Sequence, residues 1–323
     1  MQQQGSNAKL IYQTETTFKT TPVSKDAVIM TFISESLRQN RNLITSKSIR
    51  SDRNPQKPVR GNVEIAGDIS FELAPQHGRL LHHIFGSYTG ASGEAGKFTH
   101  TFKIGQLPTG MIVEKQFTDL ATPEYFQYHG CKVNSFKMSC KTEGFIECSV
   151  NLMGAKEEVA AASFDSTPDD LGHTPWDGFS AVIKEATVAV AIATQIDFTL
   201  DNGLDGNTYV IDGTGERHSM PAGTVKVSGT LTVLFEDLAL YNKALNNTET
   251  SLELALTSGT GDGSAGNEKL TFYMDEILFH PQAPVVSGPA GVLVELPFEA
   301  YYNDDADASA LRAVMLSPTS YYG

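Results

Sequence analysis

One β-strand pattern occurs twice in this chain, at positions 162 residues apart. GNVEIAGDISFEL at 61–73 matches GTVKVSGTLTVLF at 223–235 in the order of its glycine, aliphatic and small residues. Apolar and polar residues alternate in both stretches, which is the period of a strand with one buried and one exposed face. Gly67 and Gly229 hold the same place in the two copies, where a glycine often marks a bulge or a close backbone approach. The repeat therefore predicts two strands of one kind.

The segments around the two strands also match in order. Each strand is followed by apolar residues at helical spacing, within 78–86 and 238–247, which predicts a short amphipathic helix after each copy. Upstream, IMTFISESLRQN at 29–40 aligns with QIDFTLDNGLDG at 195–206, with Phe32 on Phe198. Downstream, GFIECSVNLM at 144–153 resembles GVLVELPFEA at 291–300. The common order indicates an internal duplication.

The length of the chain agrees with two such units, since 323 residues suffice for two domains of ordinary size. Residues 163–178, SFDSTPDDLGHTPWDG, contain two Thr-Pro pairs and little periodicity, which is typical of a linker. We therefore predict a first unit at 1–162 that begins with an N-terminal arm, a linker at 163–178, and a second unit at 179–323 that ends in a C-terminal tail.

Charge and cysteine content restrict the classes of function. A net charge of −14 argues against binding nucleic acid through a general basic surface, because such binding needs Lys and Arg to neutralise phosphates. The three cysteines, Cys131, Cys140 and Cys148, are odd in number and close in sequence, which indicates reduced thiols in a protein made in a cytoplasm. No segment has the length of a signal peptide core or a membrane span, so we expect neither export nor a membrane anchor.

The motifs of catalysis and cofactor binding are missing or lack their context. GDGSAG at 261–266 has the glycine spacing of a dinucleotide site, but the residues after it predict a strand instead of a helix, so we expect a hairpin tip. The adjacent His82 and His83 would point to different faces of a helix, and with His77, His129 and Cys131 they lack zinc-site spacing. The sequence predicts no cofactor, no metal and no catalytic residues, and hence no enzyme.

The ordered series of short motifs resembles a known family. GSNAKLIYQTETTFKTTP at 5–22 and the segment 36–73 are similar to the major tail tube proteins of long-tailed, non-contractile bacteriophages. Glu15, Lys19 and Pro22 match the family's opening motif, and Gly61 to Ile69 match its glycine-bounded strand. The resemblance covers most of residues 5–160 and, through the repeat, extends in weaker form to about residue 300.

The resemblance implies a mainly β fold with two tandem tail-tube-like units. Each would be a β-sandwich or barrel with a short flanking helix, and would contribute strands to an intermolecular β-barrel through which DNA passes. Stacked rings would form the tail tube of a virion, assembled in the host bacterial cytoplasm with tape-measure, tail tip and tail terminator proteins as partners. Rings in this family have sixfold character, so two units per chain favour a homotrimer over a homohexamer, and one half could instead decorate the tube.

Candidate site residues follow from this resemblance. The polar face of the first repeated strand predicts lumen-facing residues, as does the equivalent face of the second strand, although the second lacks carboxylates: Glu64, Asp68, Glu72, Lys226, Thr230 and Thr232. An ordinary solvated outer face is the alternative. Contacts between rings are expected from the N-terminal arm, two glycine-rich loops and the C-terminal tail. The candidate residues are Tyr12, Glu15, Pro22, Gly90 and Gly261.

A second function remains open from the sequence. A two-domain β-rich module that binds glycans or a host surface would carry exposed aromatic clusters on its loops. The adjacent tyrosine pairs of this chain, at 301–302 and 321–322, lie at its end.

Overall fold

The structure is a computed structural model that describes residues 2–93, 96–286, 288, 291–302 and 309–322. It is mainly β, with 47% strand and 7% helix, as predicted. The described residues form nineteen strands and two α-helices, besides short 3-10 turns at Gly5–Asn7 and Pro75–His77.

The elements up to residue 162 begin at the N-terminal arm. In chain order they are β1 (Lys9–Thr14), β2 (Val28–Ile29), β3 (Ser34–Glu35), β4 (Arg38–Ile44), β5 (Val59–Glu72), α1 (Gly78–Phe85), β6 (Gly86–Ser92), β7 (Phe98–Ile104), β8 (Met111–Phe117), β9 (Glu124–Lys141), β10 (Glu147–Gly154) and β11 (Lys156–Ala160). The remaining elements are β12 (Ala181–Glu185), β13 (Val188–Ala189), β14 (Ala193–Asp201), β15 (Lys226–Leu234), α2 (Ala239–Leu245), β16 (Thr250–Thr257), β17 (Lys269–Phe279), β18 (Leu293–Ala300) and β19 (Arg312–Ser317).

Each repeated strand is followed by a short helix, as the sequence predicts. The strands are β5 and β15, and the helices are α1 and α2. In α1 the apolar residues Leu80, Leu81, Ile84 and Phe85 are buried, because their spacing places them on the side that meets the core.

Seven strands from both halves of the chain form one continuous antiparallel sheet, which we call the inner sheet. Its order is β4–β5–β10–β9–β14–β15–β18. The halves meet where β9 pairs with β14, from Lys141 opposite Gln195 to Ser135 opposite Asp201. Backbone hydrogen bonds therefore cross the boundary between the two predicted units without a break.

A second set of strands packs behind the inner sheet. The first part of β9 lies between β8 and β11, and β8 pairs with β1. In the second half β17 lies between β16 and β19 in the same manner. Strand β19, near the end of the chain, also pairs with β7 of the first half, with Arg312 opposite Lys103. The two halves are thus joined in both layers.

The buried face of the inner sheet contributes to a single apolar core that spans both halves. The aromatic rings of Phe198 and Phe272 pack edge to face with centroids 5.3 Å apart, and Phe136 and Phe198 pack similarly at 6.1 Å. Aromatic side chains bury large apolar areas and dominate core energetics. The core therefore holds the two halves together as well as each half separately.

Both glycines of the repeat lie where a neighbouring segment approaches too closely for a side chain. Gly67 lies against the β3–β4 segment, where an added Cβ would be 2.3 Å from the Cα atom of Leu37. Gly229 lies opposite Phe198 in β14, and an added Cβ would be 2.4 Å from the Phe298 ring. Leu37 thus occupies the place that Phe198 has in the second half. The alignment of Phe32 with Phe198 is wrong, because alternation alone does not fix the register of a strand.

The segment 163–178 is irregular, but it is packed tightly against the first half. Trp176 is 1% exposed, its backbone N–H donates to the Leu73 carbonyl at 2.9 Å, and its backbone carbonyl accepts from the Ile146 N–H at 3.0 Å. The N–H of Phe164 donates to the buried carboxylate of Glu114 at 2.8 Å. These contacts order the segment, although its composition is that of a linker.

The glycine-rich stretch 261–266 connects β16 to β17, as expected for a hairpin tip. Gly261, Gly263 and Gly266 have φ angles of +67°, +85° and +78°, which residues with a side chain rarely adopt. A strand follows the loop, so the arrangement that binds dinucleotide phosphates at a helix N-terminus is not formed.

Two histidines beside α1 make the stability of the fold depend on pH. Burial lowers the pKa of both His77 and His83 to about 3. The Nδ1 atom of His77 accepts the Ala74 N–H at 3.1 Å, and the ring of His83 is 2.9 Å from the Thr14 hydroxyl. Both hydrogen bonds are compatible with a neutral imidazole ring. Since the folded pKa lies below the unfolded value, these groups leave stability intact above about pH 6.5 and reduce it as the pH falls toward 3.

We expect each of these histidines to lower the free energy of unfolding by about 2 kcal/mol between pH 7.5 and pH 5. Urea unfolding at both pH values measures the loss. His83→Gln should remove about half of the pH dependence that the two rings cause, because glutamine does not titrate. The matched control is His280→Gln, since that ring is largely exposed. An unchanged pH dependence in His83→Gln would contradict the assignment.

Candidate functional site

The outward side of the inner sheet is a polar surface that runs across both halves of the chain. Along β5 the residues Ile65, Ile69 and Phe71 point into the core, and the alternate residues are exposed or half-buried. The same alternation occurs in β10, β14, β15 and β18. We call this outward side, from Glu64 on β5 to Glu299 on β18, the polar face.

The structure places all six candidate lumen residues on this one face. Strand register links them, because residues directly opposite each other in a sheet share a face. One transverse row consists of Glu72, Glu147, Ser139, Asp197 and Thr230. Asp68 and Lys226 lie in another row and are joined through Asn151, Ser135 and Asp201. Glu64 and Thr232 alternate with buried neighbours on the same two strands.

Carboxylates outnumber cations on the polar face. The carboxylates are Glu64, Asp68, Glu72, Glu147, Asp197, Asp201, Glu295 and Glu299. The cations are Arg38, Lys132, Lys137, Lys141 and Lys226. The sequence prediction that the second repeated strand lacks carboxylates is correct for β15, but the strands on either side of it supply them.

Two glutamates face each other directly on this surface. Glu72 lies opposite Glu147 in the β5–β10 ladder. Like charges in opposed positions destabilise a sheet by a fraction of a kcal/mol, roughly 0.2–1 kcal/mol. One edge of the pair is near His173, whose Nε2 is 3.4 Å from the Glu72 carboxylate. The repulsion between these two glutamates therefore lowers the stability of the sheet slightly, yet both negative charges are present on the polar face.

Side-chain amides organise several of the other carboxylates. The Asn151 amide donates to Asp68 at 2.9 Å, and the Gln195 amide donates to Asp197 at 2.5 Å. Asp201 accepts from the Gly203 N–H at 2.9 Å. Neutral donors of this kind fix the direction of the carboxylates without cancelling their charge.

Sequence reasoning missed the polar residues of four strands on this face: β9, β10, β14 and β18. A signal for them exists, since ECSVNLM, QIDFTLD and LVELPFE each place apolar residues at every second position and leave most of their polar residues on the other face. Which of these strands are neighbours was beyond the sequence, because their pairing joins residues far apart in the chain.

Three of the five candidate ring contacts are buried inside the chain. Tyr12 is 3% exposed, Glu15 is 1% exposed, and Pro22 is also buried. The Glu15 carboxylate accepts the Lys19 N–H at 3.0 Å and the Gly130 N–H at 2.9 Å. Lys19 has a φ angle of +61°, which residues other than glycine rarely adopt. Glu15 therefore holds the turn of the N-terminal arm against β9.

The other two candidate ring contacts lie on loops that approach each other. Gly90 is exposed on β6, and Gly261 is half-buried in the loop between β16 and β17. An ion pair connects the neighbouring segments, with the Lys97 ammonium 2.5 Å from the Asp262 carboxylate. Gly90 and Gly261 thus belong to neighbouring segments at one corner of the molecule.

The tyrosine pairs near the chain end have packing roles. Tyr322 is 2% exposed, and its ring packs edge-on against the ring of His100 with centroids 4.6 Å apart. Tyr301 donates to Glu249. Tyr302 and Tyr321 are exposed, and the ring of Tyr321 packs edge-on against Tyr88 with centroids 5.8 Å apart. The alternative of a glycan-binding module has no support from these residues.

The structure also bears on metals, thiols and membranes. Within the described ranges, no group of three or more His, Cys, Asp or Glu side chains could hold a metal ion. Cys131, Cys140 and Cys148 are buried free thiols, and burial raises the pKa of each. In the same ranges, neither helix is long and apolar enough to cross a membrane.

Comparison with known sequences identifies one family. The family model described as phage tail tube protein matches residues 5–300. The match therefore includes both repeated strands, every strand of the inner sheet and all of the candidate lumen residues. A search of curated proteins found no match.

The role of Glu15 can be tested through stability. We expect Glu15→Gln to lower the free energy of unfolding by about 1–3 kcal/mol, because an amide N–H would face a backbone donor and leave it unpaired. Urea unfolding measures the change. Glu143→Gln is the control, since Glu143 is exposed in a turn. Equal stability of Glu15→Gln and the wild type would show that Glu15 has no such structural role.

Proposed function

Because the chain belongs to the phage tail tube protein family, we propose that its polar face lines the channel of the tube. The protein is a structural component of the virion tail, and its copies assemble into the tube. The observation that carries the proposal is the polar face itself, one outward surface that is continuous across both halves and rich in carboxylates.

Electrostatics give this surface a role in DNA passage. A channel lined with an excess of negative charge repels phosphates at short range, so DNA slides through without being held. Water and counterions in the channel screen the repulsion beyond about 8–10 Å at moderate salt. Lys137 and Lys141 share β9 without a carboxylate between them, but Glu147 on β10 and Asp197 on β14 flank Ser139, which lies between the two lysines.

The repeat explains how a ring could form from this chain. In each half the strands follow the same order: β4–β5–β10–β9, then β14–β15–β18–β17. The β9–β14 joint connects the end of one such series to the start of the next. We propose an internal duplication in which the same joint, made between chains, continues the sheet around an axis. Three chains then supply six series, which favours a homotrimer over a homohexamer.

The free edges of the inner sheet support this arrangement. One edge is the β3–β4 segment, and the other is the end of β17 with residues 280–286. Val133 pairs with Leu152 in the first half, and Phe279 pairs with Phe298 in the second, so Val133 and Phe279 hold equivalent positions. Further along the two strands, residues 281–286 therefore correspond to Ser135–Cys140 of the internal joint. Val285 and Val286 are 72% and 74% exposed. Exposed strand edges invite pairing with another chain.

The family also supports further partners and a location. We propose that assembly takes place in the host bacterial cytoplasm, with tape-measure, tail tip and tail terminator proteins. DNA meets the protein only in transit through the channel. No catalytic role is proposed, and the two domain boundaries, at 162 and 179, remain predictions.

Cross-linking tests the ring. In the internal joint Ser139 lies opposite Asp197, and the corresponding positions between chains are Val285 and Ser36. We expect Ser36→Cys combined with Val285→Cys to form disulfides between chains under mild oxidation, with a ladder on denaturing gels that ends at three chains. Each single variant is the control, since neither should form the ladder. A ladder that ends at six chains would overturn the trimer, and dimers alone would overturn the joint.

Charge reversal tests the channel. We expect Glu64→Lys/Asp68→Lys to assemble into tubes of normal length, because both side chains are exposed. Phage particles that carry the variant should release DNA more slowly than wild type, and the delay should shrink as salt is raised. Fluorescence of a DNA dye during triggered ejection measures the rate. The control is Glu124→Lys/Glu158→Lys, on the first part of β9 and on β11 behind the inner sheet. Equal rates for both variants would place the polar face outside the channel.

A further inference from the structure

The connection between β14 and β15 holds the same place in the second half as the β4–β5 connection holds in the first, since both precede a copy of the repeated strand. In the first half the two strands stay paired as far as Ile44 opposite Val59, so that connection projects from the sheet. In the second half the ladder ends at Asp201 opposite Lys226. Residues 203–222, which we call the strap, fold back onto the first half instead.

The strap lies along an edge of β5 that β10 leaves uncovered. Strand β10 pairs with β5 only as far as Ile65, so residues 59–64 have β4 on one side and no strand on the other. The Val63 N–H donates to the Gly215 carbonyl at 2.8 Å, and the Tyr209 hydroxyl donates to the Val63 carbonyl at 3.0 Å. The strap therefore supplies hydrogen bonds that a neighbouring strand would otherwise make.

Arg217 is the side chain that fixes the strap in place. It is 5% exposed, and its guanidinium donates to the carbonyls of Ile65 at 3.0 Å and of Gly154 at 2.6 Å. It also donates to the Gly206 carbonyl within the strap at 2.9 Å. Ile65 and Gly154 face each other as the last pair of the β5–β10 ladder. One buried cation thus joins the strap to both strands at the point where they separate.

Further contacts tie the strap to the N-terminal arm and to β10. The Glu216 carboxylate is 3.3 Å from the Lys19 ammonium. The packing against β10 is close, since a Cβ atom added at Gly206 would be 2.3 Å from the Met153 Cε atom. A long connection that is ordered in this way usually has a function, because ordering it costs conformational entropy.

We propose that the strap is a specificity element of the joint between chains, and that Arg217 is its positioning residue. The proposal rests on the function proposed above. That joint uses two free edges of the inner sheet, the β3–β4 segment and residues 280–286. Without the strap, residues 59–64 would be a third free edge of the same sheet. Backbone pairing at an open edge accepts many partners, so a third edge would compete with the joint.

The edge is covered by the same chain and not by a second copy. A strand from another copy would have to displace the strap, which would take Arg217 away from the Ile65 and Gly154 carbonyls. Separating a buried charged donor from its acceptors is more costly than breaking an exposed contact. The strap therefore stays in place when the ring forms, and each chain offers one edge on each side.

The first test removes the guanidinium. In Arg217→Ala, hydrogen exchange of the segment 59–65 should be about tenfold faster, because the acceptor for the Val63 N–H is released. Exchange of the segment 66–72, which β10 covers, should be unchanged. Rings and tubes should decrease about fivefold in favour of irregular aggregates, as seen by sedimentation and electron microscopy. The matched control is Lys9→Ala, which removes an exposed cation on β1 and should assemble as wild type.

The second test detects the exposed edge directly. Asn62 lies on this edge and its side chain is exposed. Asn62→Cys alone should give no disulfide-linked dimers under mild oxidation, whereas Asn62→Cys/Arg217→Ala should give them, because the edges of two copies can then pair. A lower stability of the fold alone would not produce this specific link. The absence of dimers from the double variant would overturn the proposal.

A milder variant keeps the proposal testable where Arg217→Ala does not fold. Tyr209→Phe removes only the hydroxyl that donates to the Val63 carbonyl, so exchange of the segment 59–65 should rise about twofold while the chain stays folded. Arg217→Ala or Tyr209→Phe with faster exchange but normal rings would overturn the role of the strap. A wild-type protein that forms no rings or tubes would instead overturn the tube role, so the two failures are distinguishable.

Discussion

The pairing of β9 with β14 is the interaction on which the rest of the structure depends. Without it each half would be a short sheet with two exposed edges, and exposed edges are sites of aggregation. With it the sheet passes through the boundary between halves while every backbone group at the joint has a partner. Under the proposed duplication, a joint that would otherwise form between subunits forms within one chain. A closed ring of the kind proposed here then needs half as many joints between chains.

The inner sheet separates stability from surface chemistry by its alternation. Its buried side packs into a core shared by both halves, in which Phe198 contacts both Phe136 and Phe272. The outward positions contribute little to that packing, so their charge can be chosen for another purpose. The opposition of Glu72 and Glu147 is consistent with such a choice, since a sheet selected for stability alone would avoid it.

Much of the fold was predictable from local patterns, whereas the neighbours in space were not. Alternation identified β5 and β15, and helical spacing identified α1 and α2. The equivalence of Leu37 with Phe198 escaped the sequence, because a strand shows its period without showing its register. Glu15 was expected to contact another ring, yet it is buried, since a family motif can record an internal hydrogen bond as readily as an interface. The face shared by Glu72 and Thr230 required the sheet order, which no local pattern contains.

The net charge of the chain conceals an uneven distribution of its charges. A subunit that was uniformly negative would remain soluble, but copies of it would repel each other at the distances where rings must touch. A uniformly neutral subunit would lose both the repulsion that keeps free copies apart and the repulsion of DNA in the channel. The charge of the chain is instead uneven, since five cations lie within residues 43–60 while carboxylates outnumber cations on the polar face. Copies therefore repel each other less in orientations that bring these two regions together than in most others.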